Sequence, residues 1–310
     1  MAVITGDRPT GSFGNRLAVW RAGFARPALA FRSQPEPRSI GLFARGRQIV
    51  AGNFLFAGKL VQAPGAALWD VTAPDPAFAA EAHGFVWLDD LAAYGDSAAR
   101  QRARDWTYGW IARFGRGQGP GWTPDLTGRR LIRWVNHAVL ILQGSDKAQS
   151  DAYFRALTVQ THYLARRWTR AASGLPRFEA LTGLIVAALA LEGKSALVGA
   201  AIAALARDCQ REVDAGGGIP TRNPEDLLEV FTLLNWAAQA LAESDRAVPV
   251  EVTHVIGRIA PTLRALRHAD GGLARFHGGG RGIEGRLDAA LAASGVRGGS
   301  GGGLPAMGFV

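Results

Sequence analysis

Residues 214–242 read D-A-G-G-G-I-P-T-R-N-P-E-D-L-L-E-V-F-T-L-L-N-W-A-A-Q-A-L-A, and this stretch indicates how the chain folds. A glycine turn leads into Asn223 and Pro224. An asparagine suits the N-cap because its side chain accepts hydrogen bonds from free N–H groups, and a proline suits the first helical position because its missing N–H is not needed there. Apolar residues then recur at helical spacing, so one face of the predicted helix packs on a core. The turn brings Arg222 and Asn223 to the helix start, where a functional site can form, although an ordinary helix–helix connection is the alternative.

Similar helical patterns fill most of the remaining chain. Short loops of Gly, Ser and Asp join them, which predicts successive antiparallel helical hairpins. No sequence repeat of fixed period is present, and this argues against a tetratricopeptide or HEAT array. Residues 39–69 differ, because their short apolar runs are separated by glycine and proline and therefore predict small strands or extended segments. The predicted helices cover residues 16–24, 85–91, 98–114, 131–142, 151–170, 177–191, 195–213, 224–241 and 250–268.

The composition allows a large core, and its excess of arginine has two interpretations. The chain has 310 residues, of which 48% are hydrophobic, and a net charge of +9. Its only lysines are Lys59, Lys147 and Lys194, so the excess of positive charge is carried by arginine. Arginine binds carboxylate, sulfate or phosphate through two parallel hydrogen bonds, but an arginine-, alanine- and glycine-rich composition is also typical of a GC-rich genome. Because the arginines are scattered along the chain, the sequence predicts no nucleic-acid partner.

Several site classes lack their sequence signals. Cys209 is the only cysteine, which excludes a disulfide within the chain and predicts a buried, inert thiol. The spacing of His268, Asp270, His277 and Asp288 matches no zinc pattern, and the usual nucleotide, serine-hydrolase and zinc-protease motifs are missing. The sequence therefore predicts neither a metal nor a cofactor.

The sequence contains no run of about 20 apolar residues, so it predicts no membrane span. The N-terminal segment has no clean apolar core flanked as in a signal peptide, so a cytoplasmic location is the default expectation and the periplasm stays open. The sequence predicts no particular oligomeric state.

Several short motifs follow one another between residues 52 and 142: G-N-F-L-F-A-G, W-D, W-L-D-D-L, D-W-T-Y-G-W-I, P-G-W and R-R-L-I-R-W-V-N-H. Their order and spacing resemble the N-terminal helical domain of heparinase II/III-like polysaccharide lyases. The glycine turn with Arg222 and Pro224 resembles the family's glycine turn and R-S-P segment, so the similarity covers most of residues 39–268.

The resemblance implies a mainly α fold, an incomplete (α/α) toroid of antiparallel helical hairpins around a cleft, with short extended segments near the N-terminus. It also implies three parts of the chain: a loose N-terminal arm at 1–38, the toroid domain at 39–268, and a glycine-rich linker at 269–310. The apolar end of that linker suggests a chain cut before the β-sandwich domain that follows in the family.

The activity implied by the resemblance is cleavage of an acidic, uronate-containing polysaccharide by β-elimination, which makes such a glycan the expected partner. This reaction needs a group that neutralises the carboxylate, a base and an acid. Arg222 and Pro224 match the family's Arg and Pro, and Asn223 stands where Ser is usual. The residues of suitable type for proton transfer are Tyr108, Tyr163, His137 and His277. Asp226 stands where family lyases hold a catalytic tyrosine.

Five further residues are candidates for substrate binding. Arg177 and Glu179 follow a Gly-Leu-Pro turn at a helix start, where capping or an ion pair is the alternative role. Asn136 lies in the predicted helix of residues 131–142. Its apolar residues predict a core-facing stripe, and Arg129, Arg130, Arg133 and His137 fall on the other side. Trp110 could stack on a sugar ring or pack in the core, and His277 lies in a glycine loop that could contact a ligand closely.

Two other functions remain open. An α/α-barrel glycoside hydrolase would use paired carboxylates, with Glu179 and either Glu225 or Asp226 as the acid and base. A non-enzymatic helical scaffold would need none of these groups.

Overall fold

The structure is a computed structural model that describes residues 13–280, 282–298 and 307. These residues form thirteen α-helices and one antiparallel hairpin, which joins strands β1 (Asn53–Phe56) and β2 (Lys59–Gln62). The helices are α1 (Phe13–Ala22), α2 (Phe43–Val50), α3 (Pro76–Gly84), α4 (Trp87–Tyr94), α5 (Ser97–Phe114), α6 (Pro124–Asn136), α7 (Ala138–Leu142), α8 (Lys147–Arg167), α9 (Leu175–Ala190), α10 (Gly199–Glu212), α11 (Pro224–Glu243), α12 (Val250–Ala265) and α13 (Arg286–Ser294).

Side-chain caps fix where several of these helices begin. Asp96 accepts a hydrogen bond of 2.6 Å from the backbone at the start of α5, and Asp146 forms a capping box with Gln149 at the start of α8. Asn223 caps α11 by accepting from two backbone N–H groups, with Pro224 as the next residue. The cap predicted at Asn223 is therefore confirmed, because it depends on neighbouring residues only.

The helices form two layers, as expected for the helical toroid. The inner layer contains α6, α9, α11 and α13, each packed on the next, and the outer layer contains α5, α8, α10 and α12. The C-terminal ends of α6, α9 and α11 line one cavity, so these three inner helices run in the same direction. Their N-terminal ends consequently meet at the opposite end of the layer.

Helices α6 and α9 cross at two glycines. A Cβ atom added to Gly183 would lie 2.4 Å from the Cα atom of Gly128, and one added to Gly128 would lie 2.2 Å from the carbonyl oxygen of Glu179. Only glycine allows two backbones to approach this closely. The crossing thereby sets the spacing of the inner layer.

A buried arginine lies in the aromatic core of the N-terminal half. The Arg130 guanidinium lies 4.0 Å from the ring centre of Trp110 and donates to Gln160 at 2.6 Å and to the carbonyl of Gly121 at 3.0 Å. Burial lowers the pKa of Arg130 to about 9. The sequence places Arg130 and Arg133 on the side of the helix opposite its core stripe. In the structure they are 0% and 1% exposed, because neighbouring helices cover both faces of α6.

Two local predictions also need correction. The helix predicted at 131–142 is interrupted at His137, which ends α6 and precedes α7 with a non-helical backbone. The extended segment predicted at 39–69 contains the hairpin, but residues 43–50 form α2, which packs against α4. Gly46 makes this contact possible, because a Cβ atom there would lie 2.2 Å from the backbone oxygen of Asp90.

The predicted N-terminal helix is α1, and it packs against α8, so this part of the arm is not loose. Its opposite face carries Phe13 and Trp20, which are 82% and 62% exposed, and Phe24 continues the same face at 74%. Helix α1 therefore presents aromatic side chains to solvent beside Arg16 and Arg21. Among the described residues, no helix has both the length and the apolar character needed to cross a membrane. The expected chain cut near residue 310 lies mostly outside the described residues.

Candidate functional site

The inner layer divides the candidate residues between its two ends. Arg222 and Asn223 lie at the start of α11, and Glu179 lies in the first turns of α9. Asn136 and His137 lie at the other end, where α6 finishes. Since α11 has 20 residues, it is about 30 Å long, and the two groups cannot contact one small substrate together.

Arg222 has an exposed side chain and a strained backbone. Its φ angle of 54° lies in the left-handed region, which costs a residue other than glycine roughly 1 kcal/mol or more. Within the described part of the chain, its guanidinium has neither an ion pair nor a hydrogen bond. A full positive charge is thus presented to solvent at the N-terminal end of α11.

The glycine loop of residues 276–280 packs against the same helix start. The backbone N–H of Gly280 donates to a carboxylate oxygen of Glu225 at 2.8 Å, and a Cβ atom at Gly279 would lie 2.4 Å from the Oδ1 atom of Asn223. That oxygen already caps α11, accepting from the Glu225 N–H at 2.9 Å. The structure therefore brings together the start of α11, with Arg222 and Asn223, and the loop that carries His277, whose side chain is exposed.

An ion pair joins the first turns of α9 to α6. The Nε and Nη2 atoms of Arg129 lie 2.7 Å and 3.0 Å from the two carboxylate oxygens of Glu179. Burial raises the pKa of Glu179 to about 7, although Arg129 opposes this change. The Glu179 side chain is 3% exposed and that of Arg129 is 27% exposed, so the arginine is the more accessible partner. The sequence analysis missed Arg129 because only the α6–α9 crossing places it beside Glu179.

Arg177 stabilises the turn that precedes α9 through hydrogen bonds. Its guanidinium donates to the carbonyl of Ala171 at 2.6 Å and 3.1 Å and to that of Thr169 at 3.2 Å. It also lies 5.6 Å from the ring centre of Trp168. These contacts give Arg177 a structural role at a helix start, close to the alternative that the sequence left open.

His137 belongs to a buried polar network at the other end. Its Nε2 atom lies 2.8 Å from Asp89, whose second oxygen lies 3.3 Å from the Nε atom of Arg133, and Ser39 donates to Asp89 at 2.6 Å. Burial raises the pKa of the Asp89 carboxyl, but Arg133 and the hydrogen bonds from His137 and Ser39 outweigh it, so the net pKa lies below its usual value. The network connects the segment before α2 to α4 and α6. His137 is only 3% exposed.

Two aromatic candidates lie on the outer helix α5. The hydroxyl of Tyr108, on outer helix α5, lies 2.9 Å from the Ser145 hydroxyl, and burial raises its pKa. Trp110 is 0% exposed and donates from its ring nitrogen to His83 at 2.9 Å. The structure thus places Trp110 in the packing role that the sequence offered as the alternative to sugar stacking.

The carboxylates of the glycoside-hydrolase alternative also have protein partners. Glu179 is paired with Arg129, and Glu225 accepts from Gly280. Asp226 is partly buried and has a side-chain hydrogen bond with Thr221; burial raises its pKa, and this hydrogen bond opposes the change. The sequence alone does not identify the partner of any of these three carboxylates.

Asn136 lies in a cavity of about 460 Å³ at the C-terminal ends of α6, α9 and α11. The segment of residues 32–38 forms the rest of the wall. Asn136 is 5% exposed, and its amide nitrogen has no hydrogen-bond partner among the described residues. This arrangement sets it apart from the candidates around Arg222.

Comparison with known proteins supports the fold more strongly than the activity. No family model matches the chain. FtsZ-localized protein C of Caulobacter vibrioides (strain NA1000 / CB15N) is 31% identical over 284 residues, which cover 91% of this chain and 48% of that protein. The chain thus spans about half the length of this relative.

Solved structures similar to this chain include a heparinase III and a heparan sulfate lyase. A crystal structure of heparinase III has a TM-score of 0.60 at 11% identity and covers 83% of this chain and 44% of the other. The heparan sulfate lyase HepC from Pedobacter heparinus has a TM-score of 0.54 at 14% identity, covering 84% and 44%. At such low identity the likeness shows the fold alone: this chain has the helical fold found in about half of each lyase.

Proposed function

We propose that this protein is a lyase-derived binder of acidic glycan and that it holds a uronate carboxylate at the N-terminal end of the inner helices. The observation that carries this proposal is the free, exposed guanidinium of Arg222 at the start of α11. A guanidinium and a carboxylate can form two charge-assisted hydrogen bonds, which lysine cannot reproduce geometrically.

The surroundings of Arg222 support an anionic ligand. The N-terminal ends of α6, α9 and α11 meet here, and the aligned peptide dipoles of each helix contribute partial positive charge, although Glu225 and Asp226 lie in the first turn of α11. Arg129, which is paired with Glu179, lies at the same end and is 27% exposed. The glycine loop beside Asn223 leaves room for a chain of sugars to approach the backbone closely.

Binding is favoured over elimination because, among the described residues, His277 is the one proton-transfer candidate from a segment that packs beside Arg222. His137 and Tyr108 are engaged in contacts elsewhere, and Asp226 occupies the position expected for a tyrosine. If elimination occurs, His277 is the residue that we expect to accept the proton.

The test is calorimetric titration with a uronate-containing heparan sulfate oligosaccharide. Arg222→Lys should weaken binding at least about tenfold, roughly 1.4 kcal/mol, while the urea unfolding curve stays unchanged. Arg246→Lys is the matched control, since Arg246 follows α11 at its opposite end and should not affect binding. Absence of binding by the unmodified protein, or equal affinities for the two variants, would overturn the proposal.

The same samples should be followed by the ultraviolet absorbance of unsaturated uronate, the product of β-elimination. We expect no increase. An increase that disappears in His277→Gln would instead show that the protein is a lyase.

The match to FtsZ-localized protein C favours a second candidate function, a helical scaffold that localises with FtsZ. This relative matches 91% of the chain, including both ends of the inner layer. Cosedimentation with FtsZ polymers tests the hypothesis: the protein should appear in the polymer pellet, and its complete retention in the supernatant would contradict the hypothesis.

A further inference from the structure

We propose that the cavity at the C-terminal ends of α6, α9 and α11 binds a small aliphatic zwitterion of the α-amino-acid class. Its volume of about 460 Å³ lies within the range of small-molecule sites. It lies at the end of the inner layer opposite Arg222, so this inference is independent of the glycan-binding proposal.

The cavity contains a donor that lacks a partner. Asn136 is 5% exposed, and its amide N–H groups find no acceptor within the described residues. A buried donor left unsatisfied costs about 1–3 kcal/mol. A ligand carboxylate that accepts from Asn136 would remove this cost, which makes the amide a favourable contact for one end of a ligand.

The cavity wall carries one free charge of each sign. Arg38 and Glu243 are paired with each other, whereas Arg32 and Glu36 have no ion pair among the described residues. Arg32 can bind a carboxylate together with Asn136. Glu36 can bind an ammonium group, so the two free charges complement a zwitterion and neither a simple anion nor a simple cation.

The helix ends add a second preference for an ammonium group. An α-helix carries partial negative charge at its C-terminus, and three such ends line this cavity. Together with Glu36 they disfavour a ligand that brings only negative charge. The cavity therefore differs electrostatically from the opposite end, where three helix N-termini meet.

The floor of the cavity selects an aliphatic side chain. It consists of apolar side chains from the three inner helices and contains no aromatic ring: Val135, Val186, Leu189, Ala190 and Ala240. Burial of a ligand's aliphatic group on this floor contributes about 25 cal/mol per Å² of apolar surface. Leucine is consequently a suitable probe, since it combines both charges with a branched aliphatic group.

Calorimetric titration of the full chain with L-leucine tests the proposal. Leucine should bind saturably, and N-acetyl-L-leucine and L-leucinamide, which each lack one charge, should bind at least about tenfold more weakly. Arg32→Gln should weaken leucine binding about tenfold and leave leucinamide binding nearly unchanged. Glu36→Gln should also weaken leucine binding about tenfold, but it should leave the binding of N-acetyl-L-leucine, which has no ammonium group, nearly unchanged. Arg47→Gln on α2 is the control for an exposed arginine outside the cavity.

Asn136→Leu provides a different measurement, because it removes the unsatisfied donor. It should abolish leucine binding and raise the urea midpoint of the free protein. Arg32 and Glu36 are both exposed, so their variants keep the test valid if Asn136→Leu does not fold. Three results would each overturn the proposal. They are the absence of saturable leucine binding, equal affinities for leucine and its two blocked derivatives, and binding of glucose without binding of leucine.

Discussion

Replacement of Gly183 by alanine tests whether the α6–α9 crossing holds the inner layer together. The added Cβ atom would lie 2.4 Å from the Cα atom and 2.5 Å from the carbonyl oxygen of Gly128. Both atoms belong to backbone inside a helix, so neither can rotate away. Ordinary van der Waals contact begins near 3.4 Å, and the two helices would have to separate by about 1 Å.

That separation affects more than one contact. Helices lose dispersion energy along the whole crossing when they move apart, and the buried Arg129–Glu179 ion pair spans the same two helices. Overpacking of this kind costs typically about 1–3 kcal/mol, occasionally more. Contacts of 2.4 and 2.5 Å with helix backbone place the cost at the upper end of this range, about 3 kcal/mol. Alanine regains about 1 kcal/mol of helix propensity relative to glycine, so we expect a net loss of about 2 kcal/mol in the free energy of unfolding.

The assay is urea unfolding followed by circular dichroism, with Gly257→Ala as the matched control. Gly257 lies in α12, and a Cβ atom there would have no neighbour within 4 Å. The control should therefore raise the free energy of unfolding by about 0.5–1 kcal/mol, because alanine lowers the entropy of the unfolded chain. The reasoning is refuted if Gly183→Ala is as stable as the unmodified protein while the control behaves as expected.

Three further substitutions or treatments test individual groups. Burial raises the pKa of the Asp90 carboxyl to about 6, above its unfolded value of about 4. The native state therefore binds the carboxyl proton more tightly than the unfolded state, and the free energy of unfolding falls as pH rises from about 4 to about 6. Asp90→Asn should therefore add up to about 3 kcal/mol near neutral pH and almost nothing near pH 4; a gain that does not depend on pH in urea titrations would contradict this assignment. Arg222→Gly should raise the free energy of unfolding by about 1 kcal/mol, because φ is 54° there, while weakening glycan binding; a loss of stability would show that the side chain anchors the loop. Burial raises the pKa of the Cys209 thiol to about 12, so alkylation by iodoacetamide near neutral pH should be limited by unfolding, and rapid labelling of the folded protein would disprove this.

The outcome at Asn223 and at His137 shows which parts of the fold can be predicted from the sequence. The cap at Asn223 depends on residues within three positions, and such local hydrogen bonds form in the same way wherever the helix is placed. The break at His137 accompanies contacts with Asp89 and Ser39, which are 48 and 98 positions away. Periodicity carries no information about such distant partners, so the helix was predicted to continue.

Burial of charge was also decided by tertiary structure. Arg130 and Arg133 occupy positions that an isolated amphipathic helix would expose, yet Arg130 stacks on Trp110 and Arg133 pairs with Asp89. Both arginines are covered because α6 has neighbours on two sides. A buried arginine is tolerated when its donors find acceptors, and those acceptors come from other helices.

The sequence by itself determined the helical class, the positions of the major helices and the start of α11, because capping and hydrophobic periodicity act over a few residues. It also selected Arg222, Asn223 and His277 as candidates, which the structure brings to one end of the inner layer. Only the tertiary structure decided that Asn136 and His137 lie at the other end and that Arg129 pairs with Glu179. The direction in which each inner helix runs sets which helix ends meet, and that direction follows from the packing of whole helices against one another.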